Sequence, residues 1–149
     1  MAIVALIDTN VWVSALINPH GYPARTREAW LTGHFKIIIS QPLLDELDEV
    51  LHRPQIQRRL GTASVRVGEL LQLIAEKASP VEITGQLHLC RDPRDDIVLE
   101  TAIVGRVTHV VSRDEDITRD PELLQQLEAR GIKALTVSHF LAELAPKET

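Results

Sequence analysis

Asp8 stands directly after the apolar run Ile3–Ile7, in Leu6-Ile7-Asp8-Thr9-Asn10. Asp114 follows a second apolar run around Val110, in Val110-Val111-Ser112-Arg113-Asp114-Glu115-Asp116. Asp95 and Asp96 open the helical stretch before that run. Glu46 lies about one turn into the helix expected after Lys36–Ile39. Carboxylates brought together from such separate places repel one another, and so they either protonate or bind cations. Hard oxygen ligands suit Mg²⁺ or Mn²⁺. A divalent ion held this way lowers the pKa of a bound water and offsets charge building on a phosphate, which is the chemistry of phosphodiester cleavage.

The elements that must position these acids alternate between short apolar runs and longer amphipathic ones. Ile3–Ile7, Lys36–Ile39, His109–Val111 and Ile132–Val137 read as strands, with Val81–Ile83 as a short one. Continuous apolar runs mark strands buried on both faces. Helices are expected over 10–17, Ala24–Thr32 (closed by Gly33), Gln41–His52 (capped by Ser40 and ended by Pro54), 55–60, 65–78, Pro93–Val104 (stopped by Gly105), from Pro121 to Gly131, and from Ser138 with Phe140, Leu141 and Leu144 inward. Residues 18–23 read as a loop. Strands separated by helices require crossover connections, hence a parallel sheet in a three-layer α/β/α sandwich. In such a sheet the functional crevice lies beyond the carboxyl ends of the strands, where Asp8 and Asp114 fall.

With 149 residues and no dividing linker, the chain is expected to form a single domain over 1–149. Its net charge of −5 excludes a general nucleic-acid coat, though not an enzyme that touches a few nucleotides. Aromatic residues at 3% leave little for a base-stacking platform. A lone cysteine, Cys90, excludes an intrachain disulfide and a CxxC zinc site and fits a reducing, cytoplasmic setting. The first apolar run is too short for an anchor and lacks the basic start of a signal peptide.

Taken in order, Ile7-Asp8-Thr9-Asn10-Val11, Ser40-x-x-Leu43-Leu44-x-Glu46-Leu47, Arg91-Asp92-Pro93-Arg94-Asp95-Asp96-x-x-Leu99 and Val111-Ser112-Arg113-Asp114-Glu115-Asp116-Ile117 resemble a PIN-domain protein over nearly the whole chain. The similarity is greatest to the bacterial and archaeal branch that supplies the toxin of toxin–antitoxin pairs (VapC-like ribonucleases). The resemblance implies a PIN-like fold and a ribonuclease dependent on Mg²⁺ or Mn²⁺ that leaves 5′-phosphate and 3′-hydroxyl ends. Carried across residue by residue, the acids of the catalytic and metal centre are Asp8, Glu46, Asp96 and Asp114. Asp116 matches an auxiliary acid for a second metal, and Thr9 or Asn10 matches a supporting polar position. Asp96 is favoured in the third motif because it precedes x-x-Leu99-x-x-Ala102, with Asp92 and Asp95 as the alternatives. The resemblance also implies an RNA substrate, a cognate antitoxin and a homodimer. Ser112-Arg113 stands where the family has a small Thr-Gly pair, and Glu100-Thr101 stands in a helix that is often Ala-rich.

Each signal has a plainer structural reading. Asp8 can cap the first helix, Glu46 can belong to the solvated face it shares with Asp45, Asp48 and Glu49, and Asp114 and Asp116 can form a turn. Arg53, Arg58, Arg59 and Arg66 are either a solvated face or a contact to RNA phosphates or an inhibitory partner. The six histidines are scattered, and His88-x-Cys90-x-Asp92 is short of ligands for zinc. Trp12 and Trp30 are expected in the core or at a dimer contact, and Cys90 as a small buried hydrophobe. Two other functions compete. An aspartate-nucleophile phosphatase would use Asp8, but Asn10 stands where its second acid belongs. A non-catalytic PIN-fold binding module is set against the full complement of acids.

Overall fold

The computed structural model describes residues 2–113 and 120–145. Its strands are β1 (Val4–Ile7), β2 (Lys36–Ser40), β3 (Ser79–Val81), β4 (His109–Ser112) and β5 (Lys133–Thr136). They form one sheet in the order β3-β2-β1-β4-β5, every pairing parallel. The helices are α1 (Thr9–Ile17), α2 (Tyr22–Leu31), α3 (Gln41–Leu51), α4 (Pro54–Leu60), α5 (Val67–Lys77), α6 (Pro93–Val104), α7 (Pro121–Ala129) and α8 (Val137–Leu144), with a 3₁₀ turn over Gly61–Arg66. This is the expected α/β class with helices flanking a parallel sheet. α1 packs on α2 and α2 on α8, while α3 meets α5 and α6 meets α7.

The apolar runs become the interior. Ala5, Leu6, Ile7, Ile37, Val110 and Val111 are buried in the central strands, and Leu47, Leu51, Leu70, Ile74, Leu99 and Phe140 pack over them. Trp12 and Trp30 meet edge to face at 5.6 Å, and Phe35 and Phe140 at 5.0 Å. Both tryptophans are thus core residues of this chain. His109 is buried as well, its ring between the Thr108 hydroxyl and Glu143.

The small differences from the sequence reading have local causes. α2 begins at Tyr22, because Pro23 sits in the first turn, where the missing N–H is no loss. The short strand is Ser79–Val81, and Pro80 is tolerated there because β3 is an edge strand. Ser40 precedes α3, but its hydroxyl does not cap that helix and instead meets the Thr101 hydroxyl at 2.8 Å in the interior. The cap of α8 is Thr136, which accepts from the His139 N–H.

The order of strands creates the site. The chain goes from β1 to β2 on one side, and β4 returns to lie on the other side of β1. A crevice opens at such a reversal, beyond the carboxyl ends of the two strands. The Asp8 N–H donates to the Val111 carbonyl at 2.9 Å, tying the end of β1 to the end of β4 at that point.

Candidate metal and nucleic-acid site

A cleft of about 390 Å³ lies at this edge. Asp8, Thr9 and Asn10 reach it from the β1–α1 junction, Glu46 and Arg53 from α3 and its end, Asp92, Arg94 and Asp95 from the start of α6, and Asp120 from the start of α7. Ser112 of β4 lines it too. Elements far apart in sequence therefore deliver their acids to one place.

Asp8 occupies the N-cap position of α1, yet its side chain makes no capping hydrogen bond. The helix-cap reading of this residue therefore does not account for its carboxylate. Glu46 is separated from its acidic neighbours by direction. Asp45, Asp48 and Glu49 are exposed and engage Gln41, His52 and Arg53, each one turn away. Glu46 is half-buried and accepts from the Thr9 hydroxyl at 3.2 Å. Thr9 thus fixes the rotamer of Glu46 while its own backbone starts α1 beside Asp8.

Helix α6 separates the acids of the third motif. At about 100° per residue, the adjacent positions 95 and 96 point to different faces, while 96 and 100 share one. Asp92 and Asp95 line the cleft. Asp92 also caps α6, accepting from the Arg94 N–H at 2.9 Å. Asp96, the acid favoured by the sequence, is buried beneath the surface and does not line the cleft. Its Oδ1 accepts from the N–H groups of Leu89 and Cys90 at 2.9 and 2.7 Å. One turn on, Glu100 accepts from the Thr84 N–H, the Thr84 hydroxyl and the Gly85 N–H at 2.6, 2.9 and 3.1 Å. Asp96 and Glu100 hold the segment leading into α6, and so set where Asp92 and Asp95 stand. Burial raises the Glu100 carboxyl, but these bonds, with one from the Leu87 N–H, outweigh it and hold the group below its ordinary value.

Asp120 was not singled out by the sequence, although Asp120-Pro121 is a legible helix start. It caps α7 by accepting from the N–H groups of Glu122 and Leu123. A hydrogen bond with the Asp95 carboxyl lowers Asp120 below the usual carboxylate range. Burial opposes this, and the two N–H donors support it. Two carboxyls in such contact need a shared proton or a cation between them. The Cys90 thiol nearby is pushed up to about 12, first by burial and then by the charges of Asp96, Asp95 and Asp120. The local field is thus strongly negative. Asp114 and Asp116 lie outside the described residues.

Every charged donor set at the cleft is carboxylate oxygen, which suits Mg²⁺ or Mn²⁺ over zinc or copper. Among the described residues, no three His, Cys, Asp or Glu side chains stand close enough to encircle an ion. The set is open, with the acids ranged around the cleft rather than closed into a cage. Its donor chemistry fits a hard divalent cation. Among the described residues, no helix is long and apolar enough to cross a membrane.

A parallel sheet with acids at its strand-order reversal defines an α/β protein with an acid-lined cleft. Residues 4–116 match the PIN domain family, and the chain belongs to it. Members of that family are generally nucleases, which typically use divalent metals. The chain is also similar to an uncharacterised protein of Methanocaldococcus jannaschii, at 24% identity over 140 residues, covering 93% of this chain and 89% of that one.

Proposed function

We propose that this protein is a Mg²⁺- or Mn²⁺-dependent endoribonuclease and the toxin component of a toxin–antitoxin pair. The observation that carries the nuclease reading is the arrival of Asp8, Glu46 and Asp95 from three separate elements at one cleft of a PIN-family fold. In this reading Asp8, Glu46 and Asp95 hold the cation, with Asp114 as the fourth acid and Asp92, Asp116 and Asp120 around them. Asp95 takes the place the sequence favoured for Asp96, because Asp95 faces the cleft and Asp96 is engaged by backbone N–H groups. When bound, the cation supplies Lewis acidity toward the phosphate and an activated water.

The chain's own residues then bind and orient. Thr9 holds Glu46 in place. The backbone bond from Asp8 to Val111 fixes the edge on which Asp8 sits. Asp120, at the start of α7, stands beside Asp95 and adds its carboxyl to the same edge of the cleft. The toxin role, a cognate antitoxin and a homodimer rest on the motif resemblance alone. The test is cleavage of a panel of structured and single-stranded RNAs with Mn²⁺ or Mg²⁺. Cuts that vanish with EDTA and in Asp8→Asn support the reading. Cutting by Asp8→Asn at the wild-type rate overturns it.

A further inference from the structure

Beside the cleft, next to Glu46, lies a second groove of about 170 Å³ between α3 and the start of α6. Arg53, Glu46 and Arg94 line both spaces, so the two adjoin. Arg53 stands just past the end of α3 and Arg94 in the first turn of α6, both near enough to Glu46 to feel its charge. Pro42 and Ile97 give the groove apolar floor. Among the described residues, Arg53 and Arg94 are the cations lining a cleft whose other charged groups are Asp8, Glu46, Asp92, Asp95 and Asp120. A polyanion entering this cleft meets repulsion everywhere else.

Both guanidiniums are presented by exposed ion pairs. Arg53 reaches Glu49 through Nε and Nη2 at 3.1 and 2.7 Å, and Arg94 reaches Asp92 at 3.3 Å. Pairs this exposed contribute little, so a phosphate exchanges with them at small cost. Guanidinium is also the better bidentate partner for phosphate. The bases find no platform. Trp12, Trp30, Phe35 and Phe140 are buried in the core, and Tyr22 lies on α2 under Arg25.

Building on the nuclease reading, the geometry points to Arg53 and Arg94 as positioning residues that grip the phosphates flanking the scissile bond of a single-stranded RNA, in the groove between α3 and α6. Binding there is carried by the backbone and is nearly indifferent to base identity. The acids of the cleft are half-buried, and a flexible single strand can lower a phosphate to them between two gripped neighbours.

The experiment uses the full chain and labelled twelve-nucleotide RNAs. Anisotropy with Ca²⁺ gives affinity, and cleavage with Mn²⁺ gives kcat and KM. Arg53→Ala/Arg94→Ala should raise Kd and KM about tenfold while kcat stays within about twofold. The slope of log affinity against log salt should fall by roughly 1.4, about 0.7 for each phosphate on a single strand. The paired Lys variant should keep the slope and lose affinity, having the charge without the fork. Purine-rich and pyrimidine-rich strands should bind within about threefold of each other, since stacking is absent. An unchanged KM and salt slope in the double Ala variant overturns this inference and leaves the nuclease reading intact. So does a fall in kcat at constant KM. Wild-type protein that neither binds nor cuts overturns both.

Discussion

Removing Asp95 and removing Asp96 should have opposite consequences, although the residues are adjacent and chemically identical. Asp96 is buried, and one of its oxygens accepts two backbone N–H groups at 2.9 and 2.7 Å. A hydrogen bond to a charged acceptor contributes about 1.5–3 kcal/mol, and losing the acceptor strands both donors. Asp96→Ala should therefore cost about 3–5 kcal/mol. At about 2–4 °C per kcal/mol for a chain of this size, the melting temperature should fall by roughly 10 °C. Asp96→Asn keeps an oxygen in place and should cost about 1 kcal/mol. Asp95 is half-buried among Asp92 and Asp120, so Asp95→Asn relieves repulsion and should change stability by less than about 1 kcal/mol in either direction. Activity should reverse the ranking, with Mn²⁺-dependent RNA cleavage lost in Asp95→Asn and kept within severalfold in Asp96→Asn. Urea unfolding and a cleavage time course on the same preparations decide the matter. An Asp96→Asn protein that is stable and inactive, beside an Asp95→Asn protein that still cuts, would refute the assignment of the two faces of α6.

Three other outcomes follow from the packing around the site. At pH 8 the Cys90 thiol, pushed up from an ordinary 9.0 to about 12, holds about a thousandfold less thiolate than an unperturbed thiol. The greater nucleophilicity of the thiolate recovers roughly twentyfold, so reaction with an aromatic disulfide reagent should be roughly 30–60-fold slow, and Asp96→Asn should speed it. Wild-type kinetics equal to those of a free thiol would contradict the negative field described here. Glu100 is held below its ordinary value of 4.5, so its contribution is complete above that pH and is lost as the pH falls through the folded value. The urea midpoint of Glu100→Gln should be lower than wild type at pH 7 and should converge toward it in acid. A constant gap down to pH 3 would deny the role. A Cβ added at Gly105 would collide with Ile38 Cγ2 and press on the Thr101 carbonyl. Gly105→Ala should therefore cost about 1–3 kcal/mol in the wild-type background and less in an Ile38→Ala background, which lacks Cγ2, as read by thermal unfolding.

The parts of the fold that were legible in the sequence are those written as unbroken apolar runs between helical stripes. β1, β2 and β4 are largely buried strands because their runs are mostly apolar, whereas β5, expected to be buried on both faces, is a half-exposed strand at the sheet edge; Pro93–Val104 is bounded by a proline and a glycine at its ends. Asp8 was legible because an acid immediately after such a run must emerge at the sheet edge. Glu46 was legible from its place in the expected helix and from the family motif, but its half-burial and its bond from Thr9 were not, since they depend on α1 and α3 meeting in space. The choice among Asp92, Asp95 and Asp96 was not legible, because about 100° of helix rotation per residue assigns the faces and the loop contacts that fix that rotation come from residues 84–90. Asp120 was hidden for a similar reason. Its place at the cleft follows from how α7 packs beside α6.

The most direct test of the central claim, that these separated carboxylates form one cation site, is a titration of Mn²⁺ followed by the loss of its free-ion electron paramagnetic resonance signal. Wild-type protein should deplete the signal, Asp8→Asn and Asp95→Asn should bind at least about tenfold more weakly, and Asp96→Asn should match wild type within about threefold. Equal Mn²⁺ affinity in wild type, Asp8→Asn and Asp95→Asn would contradict it.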